Sequence, residues 1–155
     1  MSIEIRIGTK TDIPFALNLV KELAAYEKAP NEVEVTIEEM TEWGFGSDKQ
    51  FDFFVAAENN VIVGLALYYY KYSTWKGKCL FLEDIIVTES QRGKGLGKLL
   101  FDKVVQVSKE QKVRRMEWQV LDWNTPAIEF YKKYDSTLDG EWLNCKLKNC
   151  QLEKM

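Results

Sequence analysis

The residues best suited to chemistry cluster around one glycine-rich run, Gln91-Arg92-Gly93-Lys94-Gly95-Leu96-Gly97-Lys98. It follows the apolar segment Leu80-Phe81-Leu82-Glu83-Asp84-Ile85-Ile86-Val87 and opens into an amphipathic helical pattern. Three glycines within five residues let the backbone approach a ligand closely and allow positive φ without a Cβ penalty. Backbone N–H groups at such a helix start converge on an anion, which the helix dipole also favours. The run reads as a cradle for a phosphate or pyrophosphate, or as a plain strand-to-helix turn. Its spacing excludes two common phosphate loops. A Walker loop needs four residues between its first glycine and Gly-Lys-Ser/Thr. Here three residues separate Gly93 from Gly97, and Leu99 follows Lys98 where a magnesium-binding hydroxyl is required. The dinucleotide fingerprint G-x-G-x-x-G fails as well, because the chain has Gly93-x-Gly95-x-Gly97.

The absence of histidine from all 155 residues removes Ser-His-Asp and Cys-His nucleophilic chemistry and leaves no expectation of a zinc site. Acid–base work falls to Glu, Asp, Tyr, Lys or Cys. The three cysteines, Cys79, Cys145 and Cys150, form no C-x-x-C pair and read as reduced thiols. With 21 basic against 24 acidic residues, net charge −3 and no basic block, nucleic acid is not an expected partner. No apolar run approaches the ~20 residues of a membrane span, and the N-terminus lacks a signal-peptide pattern. The expectation is a cytoplasmic protein with neither membrane nor metal, its residues 1–155 forming one domain that is 46% hydrophobic.

The elements that must position the run follow from periodicity. Ile3, Ile5 and Ile7 alternate with polar residues and predict a strand. Thr11-Asp12 before Pro14 predicts a helix start, continued by Leu17, Val20, Leu23 and Ala24 to about Tyr26. Thr36-Ile37-Glu38-Glu39 is a capping box for a second helix ending near Gly44-Phe45-Gly46. Residues 51–57 and 61–72 around Asn59-Asn60 predict a hairpin. Residues 79–87 predict a strand covered on both faces. Leu96, Leu99, Leu100, Val104 and Val107 predict a helix, and residues 116–121 another strand. Asn124-Thr125-Pro126 caps a helix bearing Ile128 and Tyr131, and residues 141–152 predict one or two final strands. The order indicates a mixed α/β layer fold.

A strand ending in Glu83-Asp84, then Arg92-x-x-Gly95-x-Gly97 opening a helix, resembles the GCN5-related N-acetyltransferases. Asp122-Trp123-Asn124 and Phe130-Tyr131 are similar to that superfamily's last motif region. Lys21-Glu22-Leu23-Ala24-x-Tyr26-Glu27, Gly44-Phe45-Gly46, Tyr72-Ser73-Thr74-Trp75-Lys76-Gly77 and Phe81-Leu82-Glu83-Asp84 resemble the diamine acetyltransferase branch, which holds spermidine/spermine and thialysine acetyltransferases. The likeness runs in order from about residue 3 to 142. It implies a mixed central sheet, splayed at the acetyl-CoA site and flanked by helices. It also implies a homodimer, in which the apolar tail from Trp142 helps build the interface.

The resemblance assigns the acetyl-CoA pyrophosphate to the loop of Arg92, Gly93, Lys94, Gly95, Leu96, Gly97 and Lys98. The pantetheine arm goes to backbone groups of Ile85, Ile86 and Val87, and further cofactor contacts to Asn124, Thr125, Pro126 and Ala127. Asn124 also reads as a helix N-cap. An alkyl ammonium has a pKa near ~10, and only the neutral amine attacks a thioester. The reaction therefore needs a proton acceptor, oxyanion stabilisation and reprotonation of the thiolate. Glu83 is the candidate base, directly or through water, or else an electrostatic partner of the ammonium. Asp84 ranks below it, because adjacent strand residues face opposite sides. Tyr131 is the candidate acid. Tyr26 and Glu27 are expected at the amine site, Trp75 over an alkyl-ammonium chain, and Glu117, Trp118 and Gln119 along the same tunnel. Cys79 as an acetyl carrier is disfavoured, since no base adjoins it and the family transfers directly.

One departure bears on substrate. Polyamine-specific members carry an Asp before the tryptophan block, and here that position is Ser73. Losing the carboxylate removes a charge-assisted contact worth roughly 1.5–3 kcal/mol, felt most by spermidine. Ser73-Thr74-Trp75-Lys76-Gly77 and Val120-Leu121-Asp122-Trp123-Asn124 resemble the thialysine type instead. The expected activity is direct acetyl transfer to a primary amine of a small cationic substrate, lysine-like or a short diamine. Acetylation of a protein or peptide amine, and a non-catalytic acyl-CoA sensor, are the competing readings.

Overall fold

The computed structural model describes residues 2–155. The chain divides into two compact units, one ending at Gln119 and the other running Val120–Met155. The first contains β1 (Ile3–Ile7), α1 (Ile13–Tyr26), α2 (Ile37–Phe45), β2 (Asp52–Glu58), β3 (Val61–Ser73), β4 (Gly77–Val87), α3 (Leu96–Glu110) and β5 (Arg115–Trp118). Its sheet has the order β1-β2-β3-β4-β5. The first four strands are antiparallel neighbours and β5 runs parallel to β4. The sheet is open and mixed, with helices against it.

Local chemistry starts several elements where the sequence predicts. Asp12 ends a short 3-10 turn ahead of α1. Its buried carboxylate is satisfied by Arg6 and by the Thr9 N–H, each at 2.7 Å. In the capping box of α2, Thr36 Oγ1 accepts from the Glu39 N–H at 3.1 Å, and Glu39 Oε1 accepts from the Thr36 N–H at 3.0 Å. Asn59 and Asn60 both take positive φ (51° and 66°) in the β2–β3 turn, the geometry that matches the strands' own twist.

Alternation along β3 divides the helices between two faces of the sheet. Leu65 joins Ile13, Ala16, Leu17, Leu19 and Met40 of α1 and α2 in one buried cluster. Its neighbour Gly64 points the other way, where an added Cβ would sit 2.9 Å from Leu100 Cδ1 of α3. Leu96, Leu100, Phe101 and Val104 are the buried stripe of α3, and Phe101 meets the Trp118 ring edge-on at 5.2 Å.

One irregularity interrupts β4. Leu67 pairs with Asp84 and Tyr68 with Leu82, so Glu83 is an extra residue opposite no partner of its own. Pairing of β4 with β5 ends at Leu82 and Trp118. Among the described residues, no strand pairs with the β5-side edge of β4 beyond that point. This is the splay that the family resemblance implies.

The second unit contains α4 (Thr125–Lys132) and α5 (Asn149–Leu152). Asn124 Oδ1 accepts from the Ala127 N–H at 3.4 Å, and Pro126 sits in the first turn of α4. Two expectations need correction. The fifth strand stops at Trp118 rather than reaching 121, and the chain turns, with the Asn124 N–H donating to the Leu121 carbonyl at 3.0 Å. Residues 141–152 form no strand: 141–148 are irregular and α5 follows. A strand forms only where another supplies backbone partners. None pairs here, and Leu143 stays 87% exposed. No helix of the described residues is long and apolar enough to cross a membrane.

Leu65 is fully buried between α1 and the sheet. Leu65→Ala should cost about 2–5 kcal/mol, read as a lower urea midpoint; a change under about 0.5 kcal/mol would mean that this face is loosely packed.

Candidate active site

The bulge in β4 determines where the carboxylates go. On the β3 side, Leu65, Leu67 and Tyr69 share the face that packs on α1. Their partners on β4 are Ile86, Asp84 and Phe81. Glu83, two residues beyond Phe81, also lies on this face, where its Oε1 accepts from the Tyr69 hydroxyl at 3.0 Å. A bulge sets two residues of one strand against one of its partner, so Glu83 and Asp84 share a face despite being adjacent. The premise that ranked Asp84 below Glu83 therefore fails here. Glu27, the C-cap of α1, faces the same pair.

The electrostatics differ sharply across this cluster. Burial, and then the charges of Glu83 and Glu27, push the Asp84 carboxyl up to about 7. Burial raises Glu27 as well, with Glu83 adding to it. Burial and the Glu83 charge push the Tyr69 hydroxyl to about 12, so it remains a donor to Glu83. Asp84 also forms part of the wall of a cavity of about 210 Å3, whose other lining is Val20, Val35, Met40, Trp43, Gln50, Phe51 and Leu67. A second, more open depression adjoins it at Gln50 and Phe51 and reaches Asp52, Tyr69 and Tyr70.

The glycine run fits an anion. Gly93 and Gly95 adopt positive φ (82° and 80°), and an added Cβ at either would meet open space. Their backbone is thus presented outward. Gly95 is the N-cap of α3, and the first intrahelical bond joins the Leu99 N–H to the Gly95 carbonyl at 3.1 Å. The N–H groups of Leu96, Gly97 and Lys98 consequently have no acceptor within the helix. Arg92 braces the run from below. Its Nε donates to the Val87 carbonyl at 2.9 Å, and its guanidinium lies 5.3 Å from the Tyr26 ring centre and 4.0 Å from Glu22. Lys94 pairs with Glu58 at 3.4 Å and Lys98 with Asp102 at 2.6 Å.

Glu22 stands in the sequence only as part of the Lys21–Glu27 motif, with no role of its own. It accepts from the Thr88 hydroxyl at 2.9 Å and from the Glu89 N–H at 3.0 Å, tying α1 to the segment ahead of the cradle. One carboxylate within an otherwise ordinary amphipathic helix leaves little trace in sequence. Tyr69 was missed for a similar reason, since an aromatic in a strand reads as packing.

Of the other expected site residues in the first unit, Trp75 is not brought to the carboxylates. Trp75 lies in the β3–β4 turn and is 79% exposed. Six residues of strand, about 20 Å, separate Gly77 at that turn from Glu83. Ser73 Oγ accepts from the N–H groups of Trp75 and Lys76 at 3.2 and 3.1 Å, so it shapes the turn. Glu117 is held by Lys71 at 3.4 Å and Arg115 at 3.0 Å. Trp118 packs against Phe101 of α3, on the sheet face opposite Glu83. Gln119 closes the first unit. Cys79 is fully buried, out of reach of an acyl donor. In the second unit, Thr125, Pro126 and Ala127 form the first turn of α4. Tyr131 follows one turn later, its ring 5.4 Å from that of Phe130, and its carbonyl accepts from the Ser136 hydroxyl at 2.9 Å.

A splayed mixed sheet, a glycine run opening α3 and an acidic face on the bulged strand fit an N-acetyltransferase. The chain belongs to the Acetyltransferase (GNAT) family, whose match covers residues 18–135 and runs through both units. Thialysine N-epsilon-acetyltransferase of Bos taurus is 36% identical over 136 residues, 83% of this chain and 80% of that protein. Its Mus musculus counterpart is 32% identical over 158 residues, 95% and 93% of the two chains. Among solved structures, an aminoglycoside acetyltransferase from an uncultured soil metagenomic sample superposes with a TM-score of 0.77 at 20% identity, covering 94% of this chain and 95% of that one. Enzymes of this family draw their acetyl group from acetyl-CoA.

Asp84 has a consequence for stability. Its folded pKa near 7 lies above the ~3.9 of an unfolded Asp. The stability contributed by the neutral form is therefore fully present below about pH 4 and is lost as pH rises through 7. The difference is on the order of 4 kcal/mol. Asp84→Asn keeps the shape without the charge, so its Tm should overtake that of the wild type as pH rises from 5 to 8. Parallel Tm profiles for the two proteins would contradict a near-neutral Asp84.

Proposed function

We propose that the protein transfers the acetyl group of acetyl-CoA directly to a primary amine of a small cationic substrate, with 1–155 acting as one catalytic domain. The observation supporting a cationic acceptor is the β4 bulge, which sets Glu83 and Asp84 on one face beside Glu27. Three carboxylates so placed attract an ammonium and leave an anionic acceptor repelled.

The cofactor's role is to present an electrophilic thioester carbonyl. In this reading the amides of residues 93–98 hold its pyrophosphate. The unpaired edge of β4 at Ile85, Ile86 and Val87 holds the pantetheine arm, and the Asn124–Ala127 turn adds further contacts. Glu83 meets the acceptor ammonium and removes a proton, and the Tyr131 hydroxyl protonates the departing sulfur. Tyr26 and Glu27 border the acceptor. Ser73 supports a lysine-like or short diamine acceptor over spermidine, because no carboxylate stands at that position to hold a distant ammonium.

Thiol release from acetyl-CoA, measured with thialysine, lysine, putrescine, spermidine and a lysine peptide, should be fastest with a lysine-like amine or short diamine. Fastest release with the peptide would favour the peptide-acetylating reading, and binding without release for every amine would favour the sensor. Tyr131→Phe should keep acetyl-CoA affinity while kcat falls by about 10²-fold or more. An unchanged kcat would remove Tyr131 from the chemistry.

A further inference from the structure

Two carboxylates on one strand face are more than holding a single ammonium requires, and their surroundings differ. Glu83 is exposed and fixed by the Tyr69 hydroxyl at 3.0 Å. Asp84 lies behind it in the wall of the cavity formed by Val20, Val35, Met40, Trp43, Phe51 and Leu67. The groups facing Asp84 are Glu27 from α1, Glu83 from β4 itself and, from β3, Tyr69, which feels the Asp84 charge. Gln50 is the other polar residue on the cavity wall, and α2 contributes only Met40 and Trp43. A carboxyl set in an apolar wall beside an exposed, hydrogen-bonded one is an arrangement in which the two take separate acid–base roles.

We propose that Asp84 is a second proton-handling residue of this site: Glu83 takes the proton from the acceptor ammonium and passes it to Asp84, where it comes to rest. This rests on the amine-acetylation reading above. The coupling drives the transfer in the right direction. An ammonium among Glu27, Glu83 and Asp84 offsets their repulsion and keeps Asp84 ionised. As the nitrogen becomes neutral the repulsion returns, and the most buried carboxyl takes the proton. One ammonium N–H bond breaks and an O–H bond forms on Asp84. The nitrogen lone pair then makes the C–N bond to the acetyl carbon while the C–S bond breaks onto sulfur, which takes the Tyr131 proton. The second proton shed by nitrogen replaces it through solvent. Asp84 releases its own proton to solution, so each turnover yields one.

Two measurements on the full chain test this. In a 13C carboxyl NMR titration of the ligand-free protein, one Asp resonance should titrate near pH 7 and be missing from Asp84→Asn. Titration of that resonance below pH 5 overturns the proposal whether or not any amine is acetylated. In the pH profile of kcat/KM for the best amine, Asp84→Asn should abolish the acid limb and lower kcat by ~10²-fold. Glu83→Gln should keep a limb, moved to lower pH because a like charge is gone, and should raise the amine KM at least tenfold. An acid limb at the same pH in wild type and Asp84→Asn overturns the role of Asp84 but leaves amine acetylation standing. Wild-type protein that acetylates no amine defeats the reaction reading, and the NMR titration then decides on Asp84 by itself.

Discussion

The site depends on one extra residue in one strand. Because Leu67 pairs with Asp84 and Tyr68 with Leu82, β4 must accommodate Glu83 without a ladder partner. Three consequences follow from that single slip. The alternation of β4 changes phase, so two adjacent carboxylates share the α1 face. Pairing with β5 ends at Leu82 and Trp118, leaving one edge of Ile85, Ile86 and Val87 without a strand. Ile86 also returns to the buried cluster beyond the bulge, so the apolar core continues across the irregularity. A regular ladder through this point would keep the sheet closed and send one carboxylate into the face packed by α3.

Helix α1 connects this acidic face with the glycine run. Its last turn presents Tyr26 and Glu27, and one turn earlier Glu22 holds Thr88 and Glu89. Arg92 stacks over Tyr26 and reaches the Val87 carbonyl. The start of the glycine loop is thereby fastened to the helix whose end faces Glu83 and Asp84. Charged groups in this network are partnered, which holds their geometry without leaving a bare charge in a half-buried setting. The glycines remain open: Gly93 and Gly95 supply left-handed backbone and no side chain over the N–H groups.

Amine acetylation needs a proton removed at a pH where the ammonium is dominant, in surroundings that still attract a cation. A lone exposed carboxylate attracts the cation but holds a proton poorly at neutral pH. A lone buried one holds the proton but repays its desolvation badly. The bulge sets an exposed carboxylate and a half-buried one side by side. The apolar cavity beneath α1 and α2 disfavours the charged form of Asp84, while Tyr69 keeps Glu83 oriented at the surface.

Much of this was legible in sequence, because local chemistry does not depend on distant partners. The capping box at Thr36, the Asn59-Asn60 turn, the helical stripe of Leu96, Leu100 and Val104, and the Asn124 cap each appear where residue types and spacing predict them. The glycine run marked the start of α3, the missing histidine narrowed the catalysts, and the motif order declared the family. What sequence misjudged are features settled by partners far along the chain. Strict alternation separated Glu83 from Asp84, but register with β3 decided otherwise. Residues 141–152 promised one or two strands, yet among the described residues no strand accepts their backbone groups. Trp75 sits by its motif near the reaction but lies at the far end of a long hairpin. Residue type and spacing determined which groups are present; pairing register and burial alone decided which of them share a face and which hold a proton, because both arise between segments that sequence keeps apart.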